Sequence, residues 1–113
     1  MIRKKVLIID DERDFCTLMQ FYLTKKNCEV IISHTLKDGL SWFYKHTPDI
    51  VILDNNLPDG LGWNAAQNII EAAPAINLFL ISANEHEELQ CKASNVHVVE
   101  KPISISQIDD FLK

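Results

Sequence analysis

Reactive side chains follow four of the apolar runs in this sequence, each at the point where the run ends. The first run precedes Asp10 and Asp11, and later runs precede Asp54, Ser82 and Lys101. Three carboxylates, a hydroxyl and an ammonium are groups that can hold a divalent cation and a phosphoryl group. Each group also has an ordinary interpretation, because Asp and Ser are common at turns and helix starts and most lysines are solvated.

The elements that must position these groups are short apolar runs that alternate with amphipathic stretches. The runs are nearly unbroken by polar residues, which is typical of strands covered on both faces. The pattern predicts strands at 6–9, 29–33, 50–54, 78–81 and 96–99. It predicts helices at 13–26, from Thr35 to before Pro48, from 62 or 63 to before Pro74, at 84–92, and after a capping box of Ser104 and Gln107.

Alternating strands and helices predict one α/β architecture. We expect a doubly wound five-stranded parallel sheet with right-handed crossovers, helices on both faces and the flavodoxin-like order 2-1-3-4-5. All strands of a parallel sheet end at the same edge, so the polar groups that follow them should converge there. In the predicted helix at 84–92, Leu89 is the only large apolar side chain, so most of the helix's stability would have to come from elsewhere.

Composition limits the classes of protein that this chain can represent. The 113 residues predict a single domain over 1–113, and a net charge of −5 argues against a nucleic-acid surface. No apolar run reaches membrane-spanning length, and no signal-peptide core precedes the first strand. Cys16, Cys28 and Cys91 are odd in number and lack metal-ligand spacing, so we expect free thiols in a reducing cytoplasm.

The converging carboxylates favour a metal-assisted phosphoryl chemistry. Like charges at close range raise one another's pKa values, and a hard divalent cation removes that repulsion. Mg²⁺ takes oxygen ligands, including one or two carboxylates. Asp54 follows an apolar run, 50–53, that indicates a strand buried on both faces, and we expect it to be a nucleophile that forms an aspartyl-phosphate.

Taken in order, these residues resemble a response-regulator receiver domain of two-component signalling, of the chemotaxis-regulator-like kind. The resemblance covers nearly the whole chain, and its motifs are specific as a set although each alone is weak. They are Asp10-Asp11, Asp54 with Leu57-Pro58-Asp59-Gly60 after it, Ser82, and Lys101-Pro102.

The resemblance implies a function and a Mg²⁺ cofactor. Asp54 would receive a phosphoryl group from a sensor histidine kinase or, in a phosphorelay, a histidine phosphotransfer protein. Asp11, Asp54 and the backbone carbonyl of Asn56 would bind Mg²⁺, with Asp10 assisting through water. The domain would catalyse only its own phosphorylation and dephosphorylation, and would contact neither nucleic acid nor a membrane.

The resemblance also implies roles for the groups at the ends of the last two strands. Ser82 and Lys101 would contact the phosphoryl group. The peptide before Pro102 resembles one that is often cis in this family, and a cis bond there would aim Lys101 into the site. An output domain beyond Lys113 and a separate effector protein are both compatible with the sequence.

Two departures from the family leave alternatives open. Val98 stands where the family usually has an aromatic residue, and the segment between Ser82 and Lys101 is short. A degenerate receiver that acts as a phosphorylation-independent binding module is therefore one alternative. A metal-dependent phosphohydrolase is another, although Asn56 stands where a second carboxylate would serve as its acid or base. We expect the four histidines to be structural, and Trp42, Phe43 and Tyr44 to pack or lie at an interface.

Overall fold

A computed structural model describes residues 3–83 and 93–112 of the chain. Its main element is a parallel five-stranded sheet with the order β2-β1-β3-β4-β5, which confirms the predicted fold class and strand order. The strands are β1 (Lys4–Ile9), β2 (Cys28–Ser33), β3 (Ile50–Asp54), β4 (Asn77–Ser82) and β5 (Val96–Glu100). The helices in the described ranges are α1 (Arg13–Lys25), α2 (Leu36–His46), α3 (Ala66–Ala72) and α4 (Ile105–Phe111).

The predicted helix at 84–92 lies outside the described residues. The third predicted helix begins as a 3₁₀ turn (Gly62–Ala65), and regular α-helix follows only from Ala66. Before that turn, Asn56–Leu57 pairs antiparallel with Gly60–Leu61 in a short ladder that the sequence did not predict. No helix within the described ranges is long and apolar enough to cross a membrane.

The sheet carries a hydrophobic cluster on each face, as the nearly unbroken apolar strands predicted. Side chains alternate between the two clusters along β1 and β3, and all five residues of β3 are buried. This burial fixes the register of the central strands and therefore the positions at which they end. One cluster includes Leu7, Ile9, Val51 and Leu53, and the other includes Val6, Ile8, Ile50 and Ile52.

The spacing of Phe15, Leu18, Met19 and Tyr22 predicts the inward face of α1, and the structure confirms Phe15 and Met19 as buried. Cys16 and Leu23 are buried, whereas Leu18 is 50% exposed and Tyr22 is only partly buried. Leu18 and Tyr22 line a groove between α1 and α4, and Tyr22 also packs against the hydrophobic cluster on that face of the sheet. The helix has more apolar side chains than its contact with the sheet can cover, and the buried set is Phe15, Cys16, Met19 and Leu23.

Helix α4 keeps its predicted cap but not all of its predicted core residues. The side chains of Ser104 and Gln107 form the predicted capping box. The spacing of Ile105, Ile108 and Leu112 predicts its inward face; Ile108 is buried as predicted, but Ile105 is 56% exposed. Phe111 is buried in addition, because its ring packs on Phe79 with 4.3 Å between the ring centroids.

The start of α2 is capped by two residues. Thr35, where the sequence predicts this helix to begin, is its N-cap and accepts a hydrogen bond from the backbone N–H of Asp38 at 3.2 Å. Asp59, from the turn after β3, accepts further hydrogen bonds from the N–H groups of Leu36 (2.8 Å) and Lys37 (2.9 Å). These bonds hold the pKa of Asp59 below its usual value. The turn after β3 is thereby tied to α2.

Replacing Asp59 with alanine should lower the melting temperature by a few degrees, because two N–H groups of α2 lose their acceptor. Asp59→Asn is the matched variant and should lose less, since it keeps one acceptor oxygen. A folded-state pKa below the unfolded value stabilises the protein above the unfolded pKa, and this contribution is lost as the pH falls through the folded pKa. Thermal melts near neutral and acidic pH should therefore show a smaller difference between wild type and Asp59→Ala in acid.

Candidate functional site

The parallel register brings the predicted site residues to one edge of the sheet. Ile9 pairs with Leu53, so the residues that follow them, Asp10 and Asp54, leave adjacent strands at the same level. Asp54 pairs in turn with Ile81, which directly precedes Ser82. Ser82 pairs with Glu100, directly before Lys101, and the backbone N–H of Lys101 donates to the Ser82 carbonyl at 2.8 Å. Ser82 itself is buried.

Three carboxylates form a compact acidic cluster at this edge. Asp10, Asp11 and Asp54 each offer one oxygen, and these oxygens lie within 4.8 Å of one another. Asp10 and Asp54 are buried, whereas Asp11 is exposed. Oxygen ligands with one side open to solvent suit a hard cation such as Mg²⁺, which keeps some of its waters. The acidic cluster therefore fits the predicted metal.

Burial of the side chain and the neighbouring carboxylates raise the pKa of Asp54 from 3.8 to about 6. Desolvation is the largest cause, followed by the negative charge of Asp10, with a smaller increase from Asp11. Lys101 and a backbone hydrogen bond from Asn55 act in the opposite direction. The negative charge of Asp54 is thus only partly compensated by its neighbours, and a bound cation would stabilise the charged form.

Asp10 is fixed by contacts of its carboxylate and of its backbone carbonyl. The N–H of Glu12 donates to its Oδ1 at 2.8 Å, and the ammonium of Lys101 lies 2.9 Å from its Oδ2. Its backbone carbonyl lies 2.9 Å from Nδ1 of His34 and accepts from Sγ of Cys16 at 3.3 Å. Burial raises the pKa of Cys16 to about 12, so its thiol stays protonated and can donate. Asp10 is therefore less free to move than Asp11.

The ammonium of Lys101 is held mainly by Asp10. Burial lowers its pKa, but the hydrogen bond to Asp10 and the surrounding carboxylates outweigh burial, and the net pKa is raised. The nitrogen also lies 3.9 Å from a carboxylate oxygen of Glu12 and 4.5 Å from the ring centroid of Phe15. The peptide between Lys101 and Pro102 is cis, as predicted. A permanently charged ammonium thus stands beside the acidic cluster.

The chain after Asp54 turns sharply back beneath it. The backbone carbonyl of Asn55 accepts a hydrogen bond from the Gly62 N–H at 2.8 Å. The side-chain oxygen of Asn55 accepts a second one from the Trp63 N–H at 3.0 Å. A Cβ on Gly62 would overlap the carbonyl oxygen of Asp54, so only glycine allows this approach. Asn56, whose carbonyl was predicted to bind Mg²⁺, is exposed at the start of this turn.

Sequence reasoning missed several residues that shape the site. Glu12 and Phe15 contact Lys101, while Cys16 and His34 bind the Asp10 carbonyl. Glu12 follows the predicted aspartates directly, so its position in the sequence was a usable signal. The other three contacts depend on how α1 and β2 pack against β1, and no motif in the sequence marks them.

Comparison with known proteins assigns the family. A family model described as the response regulator receiver domain matches residues 6–113. The chain belongs to this family. The receiver domain is 28% identical over 102 residues to the transcriptional regulatory protein YxdJ of Bacillus subtilis. That alignment covers 88% of this chain and 44% of YxdJ, so the chain spans less than half of that relative's length.

Solved structures share the fold of this receiver domain. The response regulator TrrA of Thermotoga maritima, solved in complex with Mg²⁺ and BeF, has a TM-score of 0.84 at 22% identity. That match covers 96% of each chain. A CheY-like receiver domain protein from Methanospirillum hungatei has a TM-score of 0.83 at 17% identity, covering 98% of this chain and 91% of that one. The fold and the family together make this chain the receiver domain of a two-component response regulator.

Proposed function

We propose that this receiver domain accepts a phosphoryl group on Asp54 in a reaction that needs Mg²⁺. The observation that carries the proposal is the convergence of Asp10, Asp11 and Asp54, whose oxygens lie within 4.8 Å of one another. The raised pKa of Asp54 supports it, because a cation bound there would stabilise the nucleophilic carboxylate. The TrrA complex with Mg²⁺ and BeF lends support by analogy of fold.

Each residue has a defined role in this proposal. Asp11, Asp54 and the backbone carbonyl of Asn56 would hold the cation directly, and Asp10 would act through water. The bound cation would neutralise the carboxylates and the oxygens of the incoming phosphoryl group. Asp10, fixed by Lys101 on one oxygen and by Glu12 N–H on the other, would keep the cluster in place.

The chemical step is a phosphoryl transfer between two nucleophiles. A carboxylate oxygen of Asp54 attacks phosphorus, an O–P bond forms, and the P–N bond of a donor phosphohistidine breaks. The leaving imidazole takes up a proton. The ammonium of Lys101 would share its hydrogen bonds between Asp10 and the phosphoryl oxygens, and the Ser82 hydroxyl would donate to another of those oxygens.

The partners follow from this chemistry. The donor is a sensor histidine kinase or a histidine phosphotransfer protein in the cytoplasm, and the domain acts only on its own aspartate. Phosphorylation would change the binding of an effector, which is either an output domain in the same protein or a separate chain. Nucleic acid and membrane would not be contacted by this domain, consistent with its net charge of −5.

A phosphorylation-independent binding module is the second candidate. Val98 is 51% exposed and stands in place of the usual aromatic residue, so the usual route from the phosphorylated site to the output surface is altered. A β-branched side chain is short and its χ1 angle is stiff, so it cannot transmit a large rotation. In this alternative the acidic cluster would be present without being used.

Intact-mass measurement during incubation with a small acyl phosphate should separate the candidates. With Mg²⁺ we expect one phosphoryl adduct for each chain, lost slowly after the donor is removed, and with a chelator we expect none. Absence of an adduct under both conditions would favour the binding module. Rapid multiple-turnover release of phosphate, without an adduct, would favour a phosphohydrolase.

A further inference from the structure

A cavity that the proposed phosphoryl transfer does not use lies at the outer edge of the sheet, beside β2. Its volume is about 670 Å³, and we refer to it as the β2-edge cavity. Its walls come from the end of β2, the start of α1 and one face of α2. The side chains that matter for its chemistry are Arg13, His34, Asp38, Trp42, Lys45 and His46.

Two cationic side chains line the β2-edge cavity. Arg13 and Lys45 both line it, and within residues 3–83 and 93–112 neither forms a salt bridge. Asp38 is the single carboxylate in the lining. In a chain with a net charge of −5, this concavity is locally basic, and a basic concavity concentrates anions.

The same cavity has an exposed aromatic surface. Trp42 is 38% exposed, and the imidazole of His46 lies against its indole with 3.9 Å between ring centroids and a tilt of 32°. An indole that is partly open to solvent offers a flat surface on which a planar ring can stack.

The cavity also offers hydrogen-bond acceptors. Nδ1 of His34 lies 2.9 Å from the carbonyl oxygen of Asp10, which can only accept, so Nδ1 carries the proton of this contact. In a neutral His34 ring, Nε2 is then an acceptor. The carboxylate of Asp38 is a second acceptor. A ligand that carries an amino group could donate to both.

We propose that the β2-edge cavity binds a small aromatic anion that carries an amino group, of the chemical class of a purine mononucleotide. The anion would lie against Arg13 and Lys45, the ring would stack on Trp42, and the amino group would donate to His34 or Asp38. Inorganic phosphate would leave the indole unused, and an uncharged aromatic would leave the two cations unused. This binding is independent of the phosphorylation of Asp54.

Adenosine monophosphate is a suitable probe, titrated into the full chain by calorimetry in the presence of a chelator. The chelator keeps the acidic cluster free of divalent cations, so the β2-edge cavity is tested alone. We expect adenosine monophosphate to bind at least about tenfold more tightly than adenosine, which lacks the anion, or ribose 5-phosphate, which lacks the ring. Quenching of tryptophan fluorescence should accompany binding and be reduced in Trp42→Phe.

Variants of exposed residues place the site. Lys45→Ala and Arg13→Gln should each weaken adenosine monophosphate binding by about tenfold. Lys37→Ala is the matched control, because Lys37 is exposed on the same helix but does not line the cavity. Asp54→Asn should bind the nucleotide normally whether or not Asp54 is a phosphoacceptor. No heat at millimolar nucleotide, equal affinity in all variants, or adenosine binding as tightly as its monophosphate would overturn the proposal.

Discussion

Replacing Lys101 with alanine is expected to lower the free energy of unfolding by about 3 kcal/mol in Mg²⁺-free buffer. The ammonium of Lys101 lies 2.9 Å from Oδ2 of Asp10, a fully buried side chain. Removal of one member of a buried ion pair leaves an uncompensated charge in a site of low dielectric constant. Asp54 adds to the repulsion, since the charge of Asp10 already raises its pKa. Urea denaturation at neutral pH measures the loss.

A matched lysine controls for the general effect of the substitution. Lys26 forms an ion pair with Asp109 at 3.2 Å, but both side chains are about half exposed. Lys26→Ala should therefore cost at most about 1 kcal/mol. Adding Asp10→Asn to Lys101→Ala should restore much of the lost stability, because the stranded charge is removed. Similar small losses for both lysine variants would contradict a strong buried pair at the site.

Mg²⁺ is expected to stabilise the folded domain, and to do so more strongly at alkaline than at acidic pH. At a free concentration of about 100 times Kd, one bound ion contributes about 2.7 kcal/mol. The pKa of Asp54 is raised from 3.8 to about 6, so protons compete with the cation for this ligand. Denaturation with and without Mg²⁺ at about pH 8 and about pH 5 should show the larger shift at the higher pH.

The raised pKa of Asp54 also determines how the stability of the metal-free protein depends on pH. A carboxylate whose folded pKa lies above its unfolded pKa favours folding when protonated. The contribution of Asp54 is fully present below pH 3.8 and is lost as the pH rises through about 6. Without Mg²⁺, Asp54→Asn should therefore gain stability relative to wild type as the pH rises through that range.

Asp11 provides the variant that separates metal binding from general charge effects. Asp11→Asn should weaken the response to Mg²⁺, because a direct ligand loses its charge. Asp14→Asn is the matched control, since Asp14 is an exposed carboxylate near the start of α1 but outside the acidic cluster. An undiminished Mg²⁺ shift in Asp11→Asn would remove Asp11 from the proposed metal site.

The five strands and the edge at which the site lies could be predicted from the sequence because both depend on local pattern. Unbroken apolar runs such as 50–53 identify strands buried on both faces, and parallel pairing then places the residues after them together. The capping box of Ser104 and Gln107 was also predictable, because both partners lie within one turn. The inward face of α1 was predictable only in part: Phe15 and Met19 are buried as expected, but Cys16 is buried while Leu18 is half exposed, and helical spacing alone does not distinguish these two.

The internal structure of the site depends on contacts between distant parts of the chain. The pairing of Lys101 with Asp10 and of His34 with the Asp10 carbonyl requires three strand ends to meet with particular rotamers. The resemblance to the receiver family implied that Lys101 contacts the phosphoryl group, but the sequence did not predict the ion pair between Lys101 and Asp10. Gly62 carried a signal that was not used, because a glycine after a turn often marks a close approach of the backbone.

The central claim is that Asp54 is the phosphoacceptor, and locating the phosphoryl group tests it most directly. After phosphorylation by a small acyl phosphate with Mg²⁺, borohydride reduces an aspartyl-phosphate to homoserine, and tandem mass spectrometry of peptides then locates the altered residue. We expect homoserine at position 54 alone, and none in Asp54→Asn or in protein treated with a chelator. Homoserine at Asp10 or Asp11, or an unchanged phosphoryl adduct in Asp54→Asn, would contradict the assignment.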